Sequence, residues 1–141
     1  MFKIAHHNGS QVSFDELRNT FDYISIVYLQ NDCSPCYTKF ISWNHSFDSI
    51  GGPQNHSILF IVKGKSYNDF MNNVWSYGLE REYNHFVVMD PNDMFSDENL
   101  QIPLWMLENS ILIDKNNSIL MIGNPFLTEQ TTKDFFLFCK N

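Results

Sequence analysis

The run Tyr23-Ile24-Ser25-Ile26-Val27-Tyr28-Leu29 leads almost directly into Cys33-Ser34-Pro35-Cys36, and this junction constrains the fold more than any other stretch. The run is β-branched and aromatic with almost no polar break. That is the pattern of a central strand covered on both faces. Downstream, Cys36, Phe40, Trp43 and Phe47 recur at steps of four, three and four, the apolar stripe of an amphipathic helix. Gly51-Gly52-Pro53 stops that helix. The two cysteines therefore stand where a buried strand turns into a helix.

The rest of the chain alternates in the same way. Ser13-Phe14-Asp15-Glu16 reads as a capping box opening a short helix through Arg18. Ile58 to Val62 is a second buried strand, Tyr67 to Tyr77 a helix with Phe70, Met71, Val74 and Trp75 inward, and His85 to Met89 a third strand. The polar stretch Asp90 to Asn99 reads as a loop. Ile111 to Ile113 and Ile119 to Ile122 flank Asp114-Lys115-Asn116-Asn117-Ser118, a hairpin signal because Asn tolerates positive φ. A final amphipathic helix runs from about Thr128 to Cys139. Alternation followed by a hairpin implies an α/β domain, residues 1–141, with a mixed central sheet and helices on both faces.

Charge and composition exclude several classes. A formal net charge of -7, with nine Lys and Arg scattered along the chain, does not build the basic patch that nucleic acid or anionic membrane requires. No apolar run reaches the roughly 20 residues that span a bilayer. Met1 to His7 has no apolar centre and no small-residue cleavage site, so it is not expected to be a signal peptide.

Three cysteines are too few, and odd in number, for a disulfide framework. Their chemistry lies in the CxxC pair. A helix start offers unpaired backbone N–H groups and the positive end of the helix dipole, and both favour a thiolate. Cys33 is thus expected to ionise below the free thiol value of about 8.5 and to act as nucleophile. Cys36, one turn further in, is expected to be the resolving thiol, with Ser34 and Pro35 shaping the motif; Pro35 fits the first turn, where a missing N–H costs nothing. Such a dithiol needs no bound cofactor. No metal is expected either, since neither a second CxxC nor a paired-histidine motif accompanies this one. Haem attachment needs His after the second cysteine, where Tyr37 stands. Cys139, among Phe135, Phe136, Leu137 and Phe138, reads as a small buried hydrophobe, with a third redox thiol as the other reading.

These residues resemble the thioredoxin superfamily: the Ile24 to Leu29 strand, Cys33-Ser34-Pro35-Cys36, the helix with Phe40 and Trp43, and the hairpin from Ile111. The segment Ile113-Asp114-Lys115-Asn116-Asn117 through Gly123-Asn124-Pro125, with Trp43 seven residues after Cys36, resembles small thioredoxin-like proteins of Bacteroidetes. The resemblance implies a thioredoxin-like fold and thiol–disulfide exchange on protein disulfides or dithiols. It also implies a periplasmic or cell-envelope location, with the cytoplasm as the alternative. It further implies a cis-proline facing the CxxC just before the hairpin. Here that place falls at about Glu108 or Asn109, and Pro103 is the nearest proline. Trp105, Met106, Glu108 and Asn109 are accordingly the candidates to line a substrate groove. Thiol peroxidases of this fold carry Thr or Ser three residues before the nucleophile, where this chain has Gln30. The alternative to an enzyme is a binding or scaffold module of the same fold with a non-catalytic CxxC.

Overall fold

The computed structural model describes residues 4–6 and 9–139. Residues 1–7, read above for leader-like character, and the ends of the 1–141 span therefore fall only partly within it. Among the described residues no helix is long and apolar enough to cross a membrane. The chain runs β1 (Ile4–His6), β2 (Gln11–Val12), α1 (Phe14–Thr20), β3 (Tyr23–Gln30), α2 (Ser34–Ile50), β4 (His56–Lys63), α3 (Tyr67–Ser76), β5 (Phe86–Met89), α4 (Met94–Glu98), α5 (Leu104–Glu108), β6 (Ile111–Ile113), β7 (Ile119–Ile122) and α6 (Glu129–Phe138).

The strands form one sheet in the order β2-β1-β5-β4-β3-β6-β7. β3, β4 and β5 are parallel neighbours, while β1, β2, β6 and β7 pair antiparallel. The parallel centre explains the unbroken apolar runs. Val27, Leu29, Phe60 and Val62 face one side, where they meet Phe40 and Trp43 of α2 and Phe70 and Val74 of α3. Ile24, Ile26, Leu59 and Ile61 face the other, with Leu17 of α1 and Leu107 of α5. α6 sends Phe135 and Cys139 against Leu112 of β6.

Local signals place the element ends. Ser13 and Glu16 make the capping box of α1. Gly51 ends α2 at φ 71°, and Asn117 takes φ 61° in the hairpin turn. That turn is held by the Asp114 carboxylate, which accepts the N–H groups of Asn116 and Ser118.

Three expectations are corrected. β1 and β2 were not anticipated: strands of three and two residues are too short to show a period, and β1 exists by pairing with β5 and β2 by pairing with β1. Asp90 to Asn99 is not a plain loop. Asp90 is fully buried, and its two carboxylate oxygens accept the Met94 and Phe95 N–H groups, starting α4. Trp75 does not face inward but is 46% exposed, because α3 buries only the Phe70 and Val74 line of its surface.

Candidate active site

β3 carries the chain to the carboxyl edge of the sheet, where Asn31 donates its backbone N–H to the Lys63 carbonyl (3.0 Å). Asp32 then turns the chain at φ 63°. Cys33 follows as the N-cap of α2, in extended conformation, and its carbonyl accepts the N–H groups of Cys36 (3.0 Å) and Tyr37 (3.3 Å). Its side chain accepts no capping bond, because the sulfur is at bonding distance from that of Cys36, with the Cα atoms 5.2 Å apart. Both cysteines are half-buried, and Ser34 and Pro35 are exposed. Pro35 stands in the first turn of α2.

A tyrosine locks this loop from below. The Tyr37 ring is buried, 3% exposed, between Phe70 and Tyr77. Its hydroxyl accepts the Asp32 N–H (2.7 Å) and donates to Asn31 Oδ1 (2.6 Å). Asn73 of α3 donates its amide to both the Tyr37 oxygen (3.0 Å) and Asn31 Oδ1 (3.2 Å). A second tie runs over the top, where Ser34 Oγ and Tyr77 Oη are 2.9 Å apart. The two residues before Cys33 are thereby fixed to α2 and α3. The polar pair Asn31-Asp32 ahead of the motif, and a tyrosine directly after it, were the available signals in the sequence.

Beside the pair lies a groove of about 450 Å³, bordered by Pro35, Cys36, Lys39, Tyr28, Leu104 and Glu108. Of the four residues expected to line it, Glu108 does so. Trp105, Met106 and Asn109 lie outside this lining. α5 is a single helical turn, so residues four apart share a face: Leu104 and Glu108 look onto the groove. Trp105 is instead 56% exposed, Met106 packs against the core under α1 and α5, and the Asn109 amide caps the Trp105 carbonyl. The peptide bonds of the described residues are all trans, and Ser110, just before β6, is at φ 72°. Trp43, expected in the core, is buried there edge-on to Phe126.

Two cations border the groove. Lys39, one turn beyond Cys36, donates to the Glu108 carbonyl (3.1 Å). Burial holds its ammonium below the usual lysine range, an effect partly offset by the Glu108 charge. Lys63 pairs with Asp93 at 2.8 Å, and Asp93 also accepts from the Tyr28 hydroxyl (3.1 Å). Burial, aided by that bond and by the Asp93 charge, pushes the Tyr28 phenol up to about 12. Sequence reasoning did not find Tyr28, Lys39, Lys63 or Asp93, which come from four separate elements. The third thiol stands apart: Cys139 is 3% exposed beside Phe135, and burial pushes it up to about 12.

No protein-family model and no curated protein matches the sequence. Solved structures do match in three dimensions. The thioredoxin domain of a thiol-disulfide oxidoreductase from Bacteroides vulgatus superposes at TM-score 0.62 over 98% of this chain and 92% of its own, at 14% identity. The fold is thioredoxin-like. A thioredoxin from Wuchereria bancrofti matches at TM-score 0.64 and 12% identity, covering 98% of this chain and 95% of its own. A thiol-disulfide oxidoreductase from Bacteroides fragilis matches at 0.63 and 16%, covering 94% and 96%. Several of these thioredoxin-like neighbours are thus thiol-disulfide oxidoreductases, many from Bacteroides, in keeping with the resemblance read from the hairpin and the CxxC.

Proposed function

We propose that this chain is a thiol–disulfide oxidoreductase that acts on protein disulfides through Cys33 and Cys36, working as one thioredoxin-like domain. One observation carries the reading. The two sulfurs are at bonding distance at the amino end of a 17-residue helix, half-buried, next to an open groove. A helix amino terminus favours a thiolate on the side chain that sits there.

In the reducing direction, the Cys33 thiolate attacks one sulfur of the substrate disulfide. A mixed disulfide forms, and the other substrate sulfur leaves as a thiolate and takes a proton. Cys36 then loses its proton and attacks the Cys33 sulfur. The second substrate thiolate leaves and is protonated, and Cys33–Cys36 closes as a disulfide. Two electrons and two protons pass to the substrate, and the reverse sequence oxidises a dithiol. Lys39, one helical turn from Cys36, supplies a positive charge that supports the Cys36 thiolate in the second step. Ser34 and Pro35 form the exposed lip over which a substrate strand would lie. The resemblance to small Bacteroidetes thioredoxin-like proteins supports a place in the cell envelope, where such disulfides persist.

The test is a trapping experiment. Cys36→Ala should accumulate mixed disulfides between Cys33 and substrate proteins, resolved by dithiothreitol, and Cys33→Ala should not. The competing reading is a binding module whose CxxC does not turn over, favoured by Glu108 standing on the segment that faces the pair. That reading is upheld if wild-type protein fails to reduce a model disulfide in a glutathione buffer and Cys36→Ala traps nothing.

A further inference from the structure

The two faces of the sheet are covered unequally. α2, α3 and α6 have 17, 10 and 10 residues. On the opposite face α1, α4 and α5 have only 7, 5 and 5. Short helices roof that face incompletely, and a cavity of about 610 Å³ remains beneath them. Its floor is branched aliphatic and comes from five adjoining strand positions: Ile4, Ile26, Ile61, Val88 and Ile111. These floor side chains are 5% exposed or less, so the accessible apolar lining is the rim above them, where Phe14, Phe95 and Ile102 are half-buried and Ile119 is 37% exposed. Among the described residues the mouth is polar and carries no cation. It is bordered by Asn99, Gln101, Asn117 and one carboxylate, Glu98.

The chemistry of the lining selects an occupant. Aliphatic walls give water too few hydrogen-bond partners to fill the space favourably. The volume lies in the range that holds drug-sized ligands, and a mostly apolar wall with a few convergent polar groups is the usual form of such sites. A carboxylate or phosphate head would meet Glu98 and find no Lys or Arg among the described lining residues. Three side-chain amides can donate to and accept from a hydroxyl or an ester instead. From this geometry we propose that the cavity under α4 and α5 binds a neutral single-chain amphiphile, with its alkyl tail along Phe14, Phe95, Ile102 and Ile119 and its uncharged head at the amide-lined mouth.

The site lies on the face of the sheet opposite α2 and α3, and its lining shares no residue with the groove beside Cys36. The proposal is therefore independent of the redox reading. The probe is monolauroylglycerol, held below its critical micelle concentration and titrated into the intact chain with the disulfide formed. Binding is read by isothermal calorimetry and by amide chemical shifts. Saturable one-to-one binding is expected, with shifts concentrated in β1, β5, α4 and α5, and laurate should bind at least about tenfold more weakly. Ile119→Trp, at a position already 37% exposed on the mouth, should narrow the entrance without entering the core and weaken binding about tenfold or more. Circular dichroism confirms that the variant folds. Absence of saturable binding, equal affinity for laurate, unchanged affinity in folded Ile119→Trp, or self-association of the chain that covers the mouth would each overturn the proposal.

Discussion

Replacing Tyr37 with Phe removes one oxygen and leaves the ring between Phe70 and Tyr77, at centroid distances of 5.8 and 5.0 Å. Apolar burial is unchanged, so the effect isolates the hydroxyl. Three hydrogen bonds end on that oxygen, but their losses differ. Asn31 Oδ1 and the Asn73 amide still have each other at 3.2 Å. The Asp32 N–H, bonded to Tyr37 at 2.7 Å, loses the partner that Phe cannot replace. Stranding a partly buried donor costs about 1 kcal/mol at the lower end of the range, and the lost bond to Asn31 adds about 1 kcal/mol more. The expected destabilisation is about 2 kcal/mol. For a chain of this length the melting temperature should fall by roughly 6–8 °C. Urea and thermal unfolding, run on the oxidised and the reduced protein, measure it. Because Asp32 immediately precedes Cys33, hydrogen exchange at the Asp32 amide should accelerate as well. A loss under about 0.5 kcal/mol, with unchanged exchange at Asp32, would refute the view that this hydroxyl holds the redox loop.

Three further outcomes follow from buried groups. His56 is buried beside Phe135, its Nε2 is 2.7 Å from Ser25 Oγ, and burial lowers its pKa to about 3. The unfolded chain takes up this proton near pH 6.5 and the folded one does not, so stability is full above about pH 6.5 and is lost as pH falls toward 3. About 2 kcal/mol should disappear between pH 7 and pH 5, and chemical denaturation of His56→Gln should show a shallower decline over that window. Gly64→Ala would put a Cβ 2.9 Å from Asn31 Cβ and 3.2 Å from Met89 Cε; it should cost about 1–3 kcal/mol in unfolding experiments by displacing the residue that Tyr37 anchors. In the reduced native protein, thiol titration should count two reactive groups, with Cys139 appearing only in denaturant, because burial keeps its thiol protonated and out of reach.

What could be read from the residues alone was whatever a local rule encodes. The apolar run before Cys33 has only one comfortable environment, a strand covered on both faces, and the stripe from Cys36 to Phe47 has only one period. Capping at Ser13, the stop at Gly51 and the Asn117 turn are likewise settled within a few neighbours. The cysteines therefore fell at the helix start by sequence logic. Tertiary structure decided what depends on partners far along the chain. β1 exists because β5 offers an edge, and β2 because β1 then offers the next. α4 begins where Asp90 is buried and turns its carboxylate on the Met94 and Phe95 amides. α5 shows Leu104 and Glu108 to the groove and leaves Trp105 outside, a choice that a five-residue helix does not advertise in its composition. The Tyr37–Asn31–Asn73 network closes over 42 residues of chain, and the groove draws on β3, α2, β4 and α5 together. Propensity and periodicity act over a few residues, while a site is made by contacts whose sequence separation no local pattern records.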